Sequence, residues 1–251
     1  MSTFRDLFSG HAGEYARYRP TYPAELFAWL ASQAPARDLA WDCGTGSGQA
    51  AVALAELFAR VIATDASREQ LSKATPHPRV EYAQATAESP GLRDGSVDLG
   101  TVAQAFHWFD APKFFAAAAA ALKPGGMLAL CTYRGARVSP EIDVLELDLY
   151  GNILGPDWPG ERKLVETGYA TVVIPPPFVE CAAPTFTLSA RWTRDDYVGY
   201  VGTWSSVHRH RARTGVDPLA PFERAIAPLW PGNEARDVRW DLSLRVMRRA
   251  S

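Results

Sequence analysis

Residues 41–50, WDCGTGSGQA, place three glycines at alternate positions directly after an acid. A short apolar run, LAWDC at 39–43, precedes the glycines, and a helical pattern, QAAVALAELFA at 49–59, follows them. Glycine at a strand-to-helix turn adopts backbone angles that other residues avoid, and it lets a ligand approach the main chain. The following helix presents free N–H groups and its positive dipole end to that ligand. The stretch therefore predicts a turn that binds a nucleotide-like molecule.

Strand and helix patterns alternate along the first half of the chain. A helical pattern begins at Pro23, and short apolar runs at 61–65, 80–85, 96–105 and 127–133 predict strands separated by helical segments. Such alternation is typical of a parallel sheet that is covered by helices on both faces. The pattern therefore predicts an α/β fold.

The second half departs from this alternation. A helical region, a rigid proline connector, a strand, a helix and a late strand are predicted at 138–170, 173–178, 184–192, 194–211 and 238–246. Thr193 and Asp196 give the helix a capping-box start. The late strand, VRWDLSLRV, alternates apolar and polar residues, which predicts a half-buried antiparallel strand. We predict one domain over 1–251, comprising an N-terminal arm, a cofactor-binding core, and a substrate-side helical insertion with the last strands, at 1–35, 36–135 and 136–251.

The composition is that of an ordinary globular protein. The 251 residues are 47% hydrophobic and 22% charged, and the net charge of −2 predicts no attraction to nucleic acid or to an anionic membrane. Cys43, Cys131 and Cys181 are widely spaced, which predicts reduced thiols and no metal site. Because neither a signal-peptide pattern nor a long apolar run occurs, we expect a cytoplasmic protein. The sequence leaves open whether it is a monomer or a dimer.

The glycine turn is compatible with two cofactors. From Gly46 the chain reads GSGQAA, which matches the loose GxGxxA pattern of NAD-binding proteins. From Asp42 it reads DCGTGSG, and a carboxylate suits the ammonium group of S-adenosylmethionine better than it suits a pyrophosphate. Asp65 ends the second predicted strand, where it can accept hydrogen bonds from ribose hydroxyls of either cofactor. Asp42 favours S-adenosylmethionine, and an NAD-dependent oxidoreductase is the alternative.

Several longer segments resemble the class I S-adenosylmethionine-dependent methyltransferases. They are FSGHAGEYARYRPTYPAEL at 8–26, ATAESPGLRDGSVDLGTVAQAFHWFD at 85–110, LKPGGMLAL at 122–130 and YVGTWSSV at 200–207. The chain is most similar to the small-molecule subfamily that includes trans-aconitate methyltransferase. The resemblance implies an α/β, Rossmann-like, doubly wound, seven-stranded sheet. This sheet is mostly parallel with one antiparallel late strand, and it carries an N-terminal helical arm and a helical insertion.

The resemblance also implies where the cofactor binds. The expected contacts, from the methionine end through the ribose and adenine to the sulfonium, are Asp42, Gly44, Gly46, Asp65, Ala66, Thr86, Ala87, Glu88, Gln104 and Ala105. Thr86 stands where many relatives have an acid, so a backbone amide at Ala87 is expected to contact the adenine. In the arm, Tyr15, Tyr18 and Tyr22 are expected to fold over the cofactor; the alternative is that they form an aromatic patch that packs on the last strands. Arg19 is expected to pair with the methionine carboxylate.

The same resemblance implies methyl transfer to a small-molecule acceptor, with S-adenosylhomocysteine as the product. His107 is the candidate catalytic residue, either positioning an acceptor oxygen or taking a proton from a hydroxyl; its alternative role is to tie its loop to a backbone carbonyl. The candidate substrate contacts are Tyr22, Trp108, Arg134 and Trp204. Of these, Arg134 follows the fifth predicted strand, at the correct end of the sheet to bind a carboxylate. We expect an oxygen acceptor, either a carboxylate or a hydroxyl. A non-catalytic S-adenosylmethionine-binding module is a further alternative.

Overall fold

Eight strands form one sheet in the computed structural model, which describes residues 18–250. In chain order, strands β1 to β8 are Leu39–Cys43, Arg60–Asp65, Val80–Gln84, Val97–Ala103, Leu122–Tyr133, Phe178–Cys181, Phe186–Trp192 and Arg236–Arg249. Helices α1 to α9 are Ala24–Gln33, Gln49–Ala55, Arg68–Ser72, Ala111–Ala121, Pro140–Asp148, Arg162–Glu166, Arg194–Gly202, Ser205–Thr214 and Leu219–Ile226. The strand order is β3-β2-β1-β4-β5-β8-β6, and β7 also pairs with β8.

One strand runs against all the others. Strands β1 to β5 pair in parallel, whereas β8 is antiparallel to β5, β6 and β7. Arg239 of β8 pairs with Arg137, which follows β5, on one side and with Ser189 of β7 on the other. Strand β7 therefore lies on the side of β8 that faces away from β5, and β6 lies on the same side. Two short strands therefore share one position, and the eight strands fill seven positions. The predicted mostly parallel sheet with one antiparallel late strand is confirmed.

Strand β1 shows why helices must cover both faces. Its adjacent residues Ala40 and Trp41 are both fully buried, and they belong to two different apolar clusters. Because side chains alternate between the faces of a strand, each face needs its own cover. Helices α1 and α2 supply apolar residues to one cluster, and α4 supplies Phe114, Phe115 and Ala118 to the other. The fold is therefore doubly wound.

The region after β5 differs most from the prediction. The helix predicted over 138–170 is broken into α5, a turn of π-helix at Leu149–Ile153, a 3₁₀ turn at Gly155–Asp157 and α6. Glycine and proline residues along this stretch disfavour a continuous helix. The helix predicted over 194–211 also breaks, into α7 and α8, while the capping box between Thr193 and Asp196 is present.

Two strands also differ from the prediction. Strand β6 was not predicted, because four residues are too few to show a period; only its first residue, Phe178, falls in the proline connector predicted at 173–178. Strand β5 begins at Leu122 and runs through the Pro124–Gly125–Gly126 segment, five residues before the predicted start at 127. None of the described helices is both long enough and apolar enough to cross a membrane.

Candidate active site

The glycine turn lies at the carboxyl end of β1. Gly44 and Thr45 donate backbone hydrogen bonds to the carbonyl of Thr64 at 2.8 and 3.0 Å, which ties the turn to the end of β2. Gly44, Gly46 and Gly48 have φ angles of +68°, +55° and +85°. A Cβ atom on Gly44 would lie 2.6 Å from the Cβ of Ala105, so packing as well as backbone angle requires glycine there.

A large cavity opens beside this turn, at the carboxyl ends of the parallel strands. Its volume is about 560 Å³, within the range of about 300–1,000 Å³ that is usual for ligand pockets. The predicted site residues that line it are Arg19, Tyr22, Gly44, Gly46, Asp65, Ala66, Thr86, Ala87, Glu88, Gln104, Ala105 and Trp108. The structure thus gathers most of the predicted cofactor contacts around one cavity, called the main cavity below.

Asp65 is held by two backbone N–H groups, one from the glycine turn and one from the residue before α3. Its Oδ2 atom accepts a hydrogen bond from Gly46 N at 2.8 Å, and its Oδ1 atom accepts one from Ser67 N at 2.8 Å. Each carboxylate oxygen has a second acceptor site, which a ribose hydroxyl can use. The two backbone bonds therefore fix the orientation of the carboxylate in the cavity wall.

The structure corrects the placement of Asp42. Its side chain does not line the main cavity; it is buried beneath the glycine turn, where it accepts hydrogen bonds from Thr45 Oγ1 at 2.6 Å and Thr101 Oγ1 at 2.8 Å. Burial raises the pKa of Asp42 to about 6 against these two bonds, and the nearby charge of Asp65 raises it further. Asp42 can therefore act on a ligand through its charge but not by direct contact.

Gln104 closes the end of β4 with its side-chain amide. Its Nε2 atom donates to the carbonyl of Tyr133 at 3.1 Å, and its Oε1 atom accepts from Tyr133 N at 3.0 Å and from Thr132 Oγ1 at 2.7 Å. This pairing with β5 holds Gln104 at a φ of +60°, which is unusual for a residue with a side chain. A strained residue of this kind in a cavity wall is typical of functional sites.

Two other predicted contacts lie elsewhere. Tyr18 packs against α7, where a Cβ on Gly199 would lie 2.7 Å from its ring, and it lines no described cavity. Arg134 follows β5 as predicted, but its exposed side chain donates to the carbonyl of Glu166 at 3.0 Å, away from the cavity linings. Both placements correct the prediction, and Tyr15 lies outside the described residues.

A second, smaller cavity of about 40 Å³ adjoins the main cavity and is called the side chamber below. It holds the predicted residues His107 and Trp204. The residues that line both spaces are Arg19, Gln104, Trp108, Tyr133 and Pro159. These shared walls show that the two spaces are neighbours, so a molecule in the side chamber would lie next to one in the main cavity.

His107 is buried at the edge of the side chamber. Its Nδ1 atom lies 3.1 Å from the hydroxyl of Tyr169, a fully buried residue with a φ of +64°. Burial lowers the pKa of His107 to about 3, and the positive charges of Arg162 and Arg19 lower it further. The imidazole is therefore neutral at pH 7 and a weak base. Its partner is a side-chain hydroxyl and not the backbone carbonyl of the alternative prediction.

Several lining residues were missed by the sequence reasoning. Those in the main cavity include Ser67, Gln70, Phe109, Lys113 and Glu161, and those in the side chamber include Trp158, Arg162, Tyr200 and Ser205. Ser67 and Gln70 could have been found, because they directly follow Asp65 at the start of α3. Trp158 and Arg162 carried no such signal, because they lie where the helical pattern breaks.

Comparison with known proteins identifies the enzyme family. A family model for a methyltransferase domain matches residues 41–130. The chain is 37% identical over 206 residues to a candidate methyltransferase of Dictyostelium discoideum, covering 80% of this chain and 78% of that protein. A solved structure of a candidate type II methyltransferase from Anaeromyxobacter dehalogenans is 46% identical, has a TM-score of 0.86, and matches 93% of this chain and 99% of that chain.

The chain belongs to the class I S-adenosylmethionine-dependent methyltransferases. This membership replaces the alternative of an NAD-dependent oxidoreductase.

The residues of the main cavity fit the methyltransferase cofactor. A Cβ on Gly46 would meet only Gln70 Oε1, at 3.9 Å, so the main chain there faces open space that a ligand can approach closely. Asp65 would hold the ribose, and Gly44 and Gly46, which both line the cavity, would lie beside the methionine end. Ala66 and Ala87 are small enough to leave room for a flat ring. The buried Asp42 adds negative charge beneath the turn, which favours an ammonium group nearby.

Proposed function

We propose that this methyltransferase methylates an oxygen atom, of a carboxylate or a hydroxyl, in a small-molecule acceptor. The observation that carries the proposal is the side chamber, which adjoins the main cavity and combines a neutral histidine with two arginines. We also propose that the chain is related to the subfamily that includes trans-aconitate methyltransferase. The sequence segments at 8–26 and 200–207 support this relationship.

The size of the side chamber supports a small acceptor. A volume of about 40 Å³ receives only a few atoms beyond those in the main cavity. Trp158 and Trp204 form part of its wall, with ring centres 5.7 Å apart, and Tyr150 packs on both. Aromatic walls of this kind exclude water from a bound acceptor. A folded protein or a duplex nucleic acid would have to present a single slender group to enter.

The charges of the side chamber favour oxygen over nitrogen as the acceptor atom. The guanidinium groups of Arg19 and Arg162 both line it, and they would repel a protonated amine. His107, with its pKa lowered to about 3, is a poor base for removing a proton from an ammonium group. A carboxylate needs no base, whereas a hydroxyl would have to give its proton to the neutral imidazole as the new O–CH₃ bond forms.

The protein's own contribution is mainly to position the reactants. S-adenosylmethionine, when bound, supplies a methyl group on a positively charged sulfur, which leaves as the neutral thioether S-adenosylhomocysteine. Asp65 and the glycine turn hold the cofactor, Gln104 fixes the wall between the two spaces, and the aromatic rings exclude water. Holding two reactants in line can supply about 7–11 kcal/mol of the barrier.

The experiment combines methyl-labelled S-adenosylmethionine with a cell extract separated into macromolecules and small molecules. We expect label in the small-molecule fraction, in a product identified by mass spectrometry as an O-methyl compound. Mild alkali distinguishes a labile methyl ester from a stable methyl ether. Asp65→Ala, which removes the ribose acceptor and should weaken cofactor binding, serves as the low-activity control when the cofactor concentration is kept below the Kd of the variant. Label confined to protein or nucleic acid, or an N-methyl product, would contradict the proposal.

A further inference from the structure

Arg162 is held rigidly at the side chamber. Its Nε atom donates to the hydroxyl of Tyr150 at 3.1 Å, and that hydroxyl donates to Glu166 Oε1 at 2.8 Å. Its Cζ atom lies 4.7 Å from the ring centre of Trp158 and 5.6 Å from that of Tyr150. Stacking of a guanidinium on aromatic rings fixes its plane and removes part of its hydration. Arg162 therefore presents a pre-oriented donor fork to the chamber.

Among the described residues, Arg162 lacks the carboxylate partner that Arg211 and Arg213 of α8 have. Arg213 is paired with Asp157 through two bonds of 2.7 Å, and Arg211 is paired with Asp217 at 2.8 Å. Within residues 18–250, no carboxylate forms an ion pair with Arg162, although it is only partly exposed. A charge that is partly removed from water is unfavourable unless it is paired. An anion that enters the chamber would supply that pairing.

A second guanidinium group also lines the chamber. Arg19 lines the same space, with its Nη1 atom 3.5 Å from the hydroxyl of Tyr133 and its Cζ atom 5.6 Å from the ring centre of Tyr200. Burial is the main cause of the lowered pKa of the His107 imidazole, and the charges of both arginines lower it further. The remaining chamber walls are mostly aromatic. Such surroundings strengthen the attraction between a guanidinium and a carboxylate compared with water.

We propose that Arg162 binds the carboxylate of a small acid in the side chamber, and that this acid is the methyl acceptor. The inference rests on the proposed function and narrows it from oxygen acceptors in general to carboxylic acids. The planar donor fork of arginine matches a carboxylate through two parallel hydrogen bonds, which lysine cannot reproduce. Arg162 is thus a specificity residue that the pattern of the sequence did not reveal, in the role that had been expected of Arg134.

The chemistry predicts how Arg162 affects the reaction. A lone pair of the carboxylate oxygen forms the new O–CH₃ bond, the C–S bond breaks with its electron pair on sulfur, and no proton is released. The acid loses its negative charge as the ester forms, so a guanidinium binds the starting acid more strongly than the transition state. Removing the guanidinium should therefore raise KM and leave kcat unchanged or higher.

The test measures binding to protein saturated with S-adenosylhomocysteine. The probes are benzoate, crotonate and succinate, each compared with its own amide by calorimetry. We expect at least one acid to bind at least about tenfold more tightly than its amide. Arg162→Gln should weaken that acid by about ten- to a hundredfold and leave the amide unchanged, and Arg162→Lys should recover only part of the loss. Arg191→Gln, at an exposed arginine of β7 that pairs with Asp237, is the matched control.

The measured affinity for S-adenosylhomocysteine distinguishes a failure of the proposed function from a failure of the inference alone. Because Arg162 does not line the main cavity, both Arg162 variants should keep the wild-type affinity for this compound, which also shows that they are folded. If the wild type does not bind it, the proposed function fails and the inference fails with it. If it binds but no acid does, or if Arg162→Gln leaves acid binding unchanged, the inference alone is overturned. A fall in kcat at constant KM, for the acceptor identified by labelling, would also overturn it.

Discussion

Replacing Asp42 by asparagine tests whether the acid beneath the glycine turn lowers the stability of the unliganded protein. The carboxyl is buried and has two hydroxyl donors, Thr45 and Thr101, but no positively charged partner among the described residues. Its pKa is raised from 3.8 to about 6, chiefly by burial. Because its pKa is higher in the folded state, the carboxyl makes its full contribution to the free energy of unfolding below pH 3.8. That contribution is lost as the pH rises through about 6.

The size of the effect follows from that pKa. Raising it from 3.8 to about 6 corresponds to about 3 kcal/mol of free energy of unfolding that is lost above pH 6. Asparagine has nearly the same shape and cannot ionise, but its amide no longer accepts the hydrogen bond from one hydroxyl, which costs about 1 kcal/mol. Asp42→Asn should therefore be about 2 kcal/mol more stable than the wild type at pH 8, and no more stable at pH 4.

Urea unfolding of the unliganded protein at several pH values measures this difference. Glu146 complicates the wild-type profile, because burial raises its pKa to about 7 against bonds from Tyr197 and Ala136, so it titrates in the same direction. Both proteins should therefore carry Glu146→Gln. A gap in stability that does not widen between pH 4 and pH 8 would refute the reasoning, and so would an asparagine variant that is less stable at pH 8.

The other predictions concern the turn, the ribose contact and the chamber wall. Asp65→Ala should weaken S-adenosylhomocysteine binding by about 1.5–3 kcal/mol, or about ten- to a hundredfold, in calorimetry, and an unchanged affinity would remove Asp65 from the cofactor site. Gly48→Ala should lower the Tm of the unliganded protein, because its φ is +85° and the new Cβ would collide with the hydroxyl of Tyr82; if Tyr82→Phe gives no partial recovery, the collision is not the cause. Asp157→Asn should be less stable than the wild type at pH 7, with the difference vanishing toward pH 2, because bonds from Arg213 and His210 lower the pKa of Asp157 to about 2. A difference that does not change with pH would show that charge is not the cause.

The cofactor half of the site could be predicted from sequence because it follows the sheet. Gly44, Asp65, Thr86 and Gln104 come after or at the ends of four consecutive strands, and parallel pairing brings these ends to one edge. The strand pattern alone was enough to predict the glycine turn and Asp65, and the resemblance to methyltransferases added Thr86 and Gln104. The exception was Asp42, whose side chain turns away because Thr101, its direct neighbour in the β1–β4 register, offers a hydroxyl beneath the turn. A contact between residues 59 positions apart leaves no local signal.

The acceptor half could not be predicted, because irregular segments build it. Trp158 and Arg162 follow a π-turn and a 3₁₀ turn, where no periodic pattern exists to show which way a side chain faces. Arg134 was the arginine expected to bind an acid because it follows a strand at the correct edge. Its side chain instead bonds the carbonyl of Glu166, at the end of the same short helix that Arg162 begins. Only the packing of that helix distinguishes the two arginines.

The two halves of the site are therefore held by different forces. Sheet register and backbone hydrogen bonds fix the cofactor wall, whereas the chamber wall depends on a few side-chain bonds, above all those of Asp157 with Arg213 and His210. Asp157 directly precedes Trp158 and connects the 3₁₀ turn to α8. Substitutions there can reshape the chamber without moving any strand. A change at Asp157 should therefore alter acid binding before it alters the affinity for S-adenosylhomocysteine, which is the order expected if acceptor choice can vary independently of the cofactor.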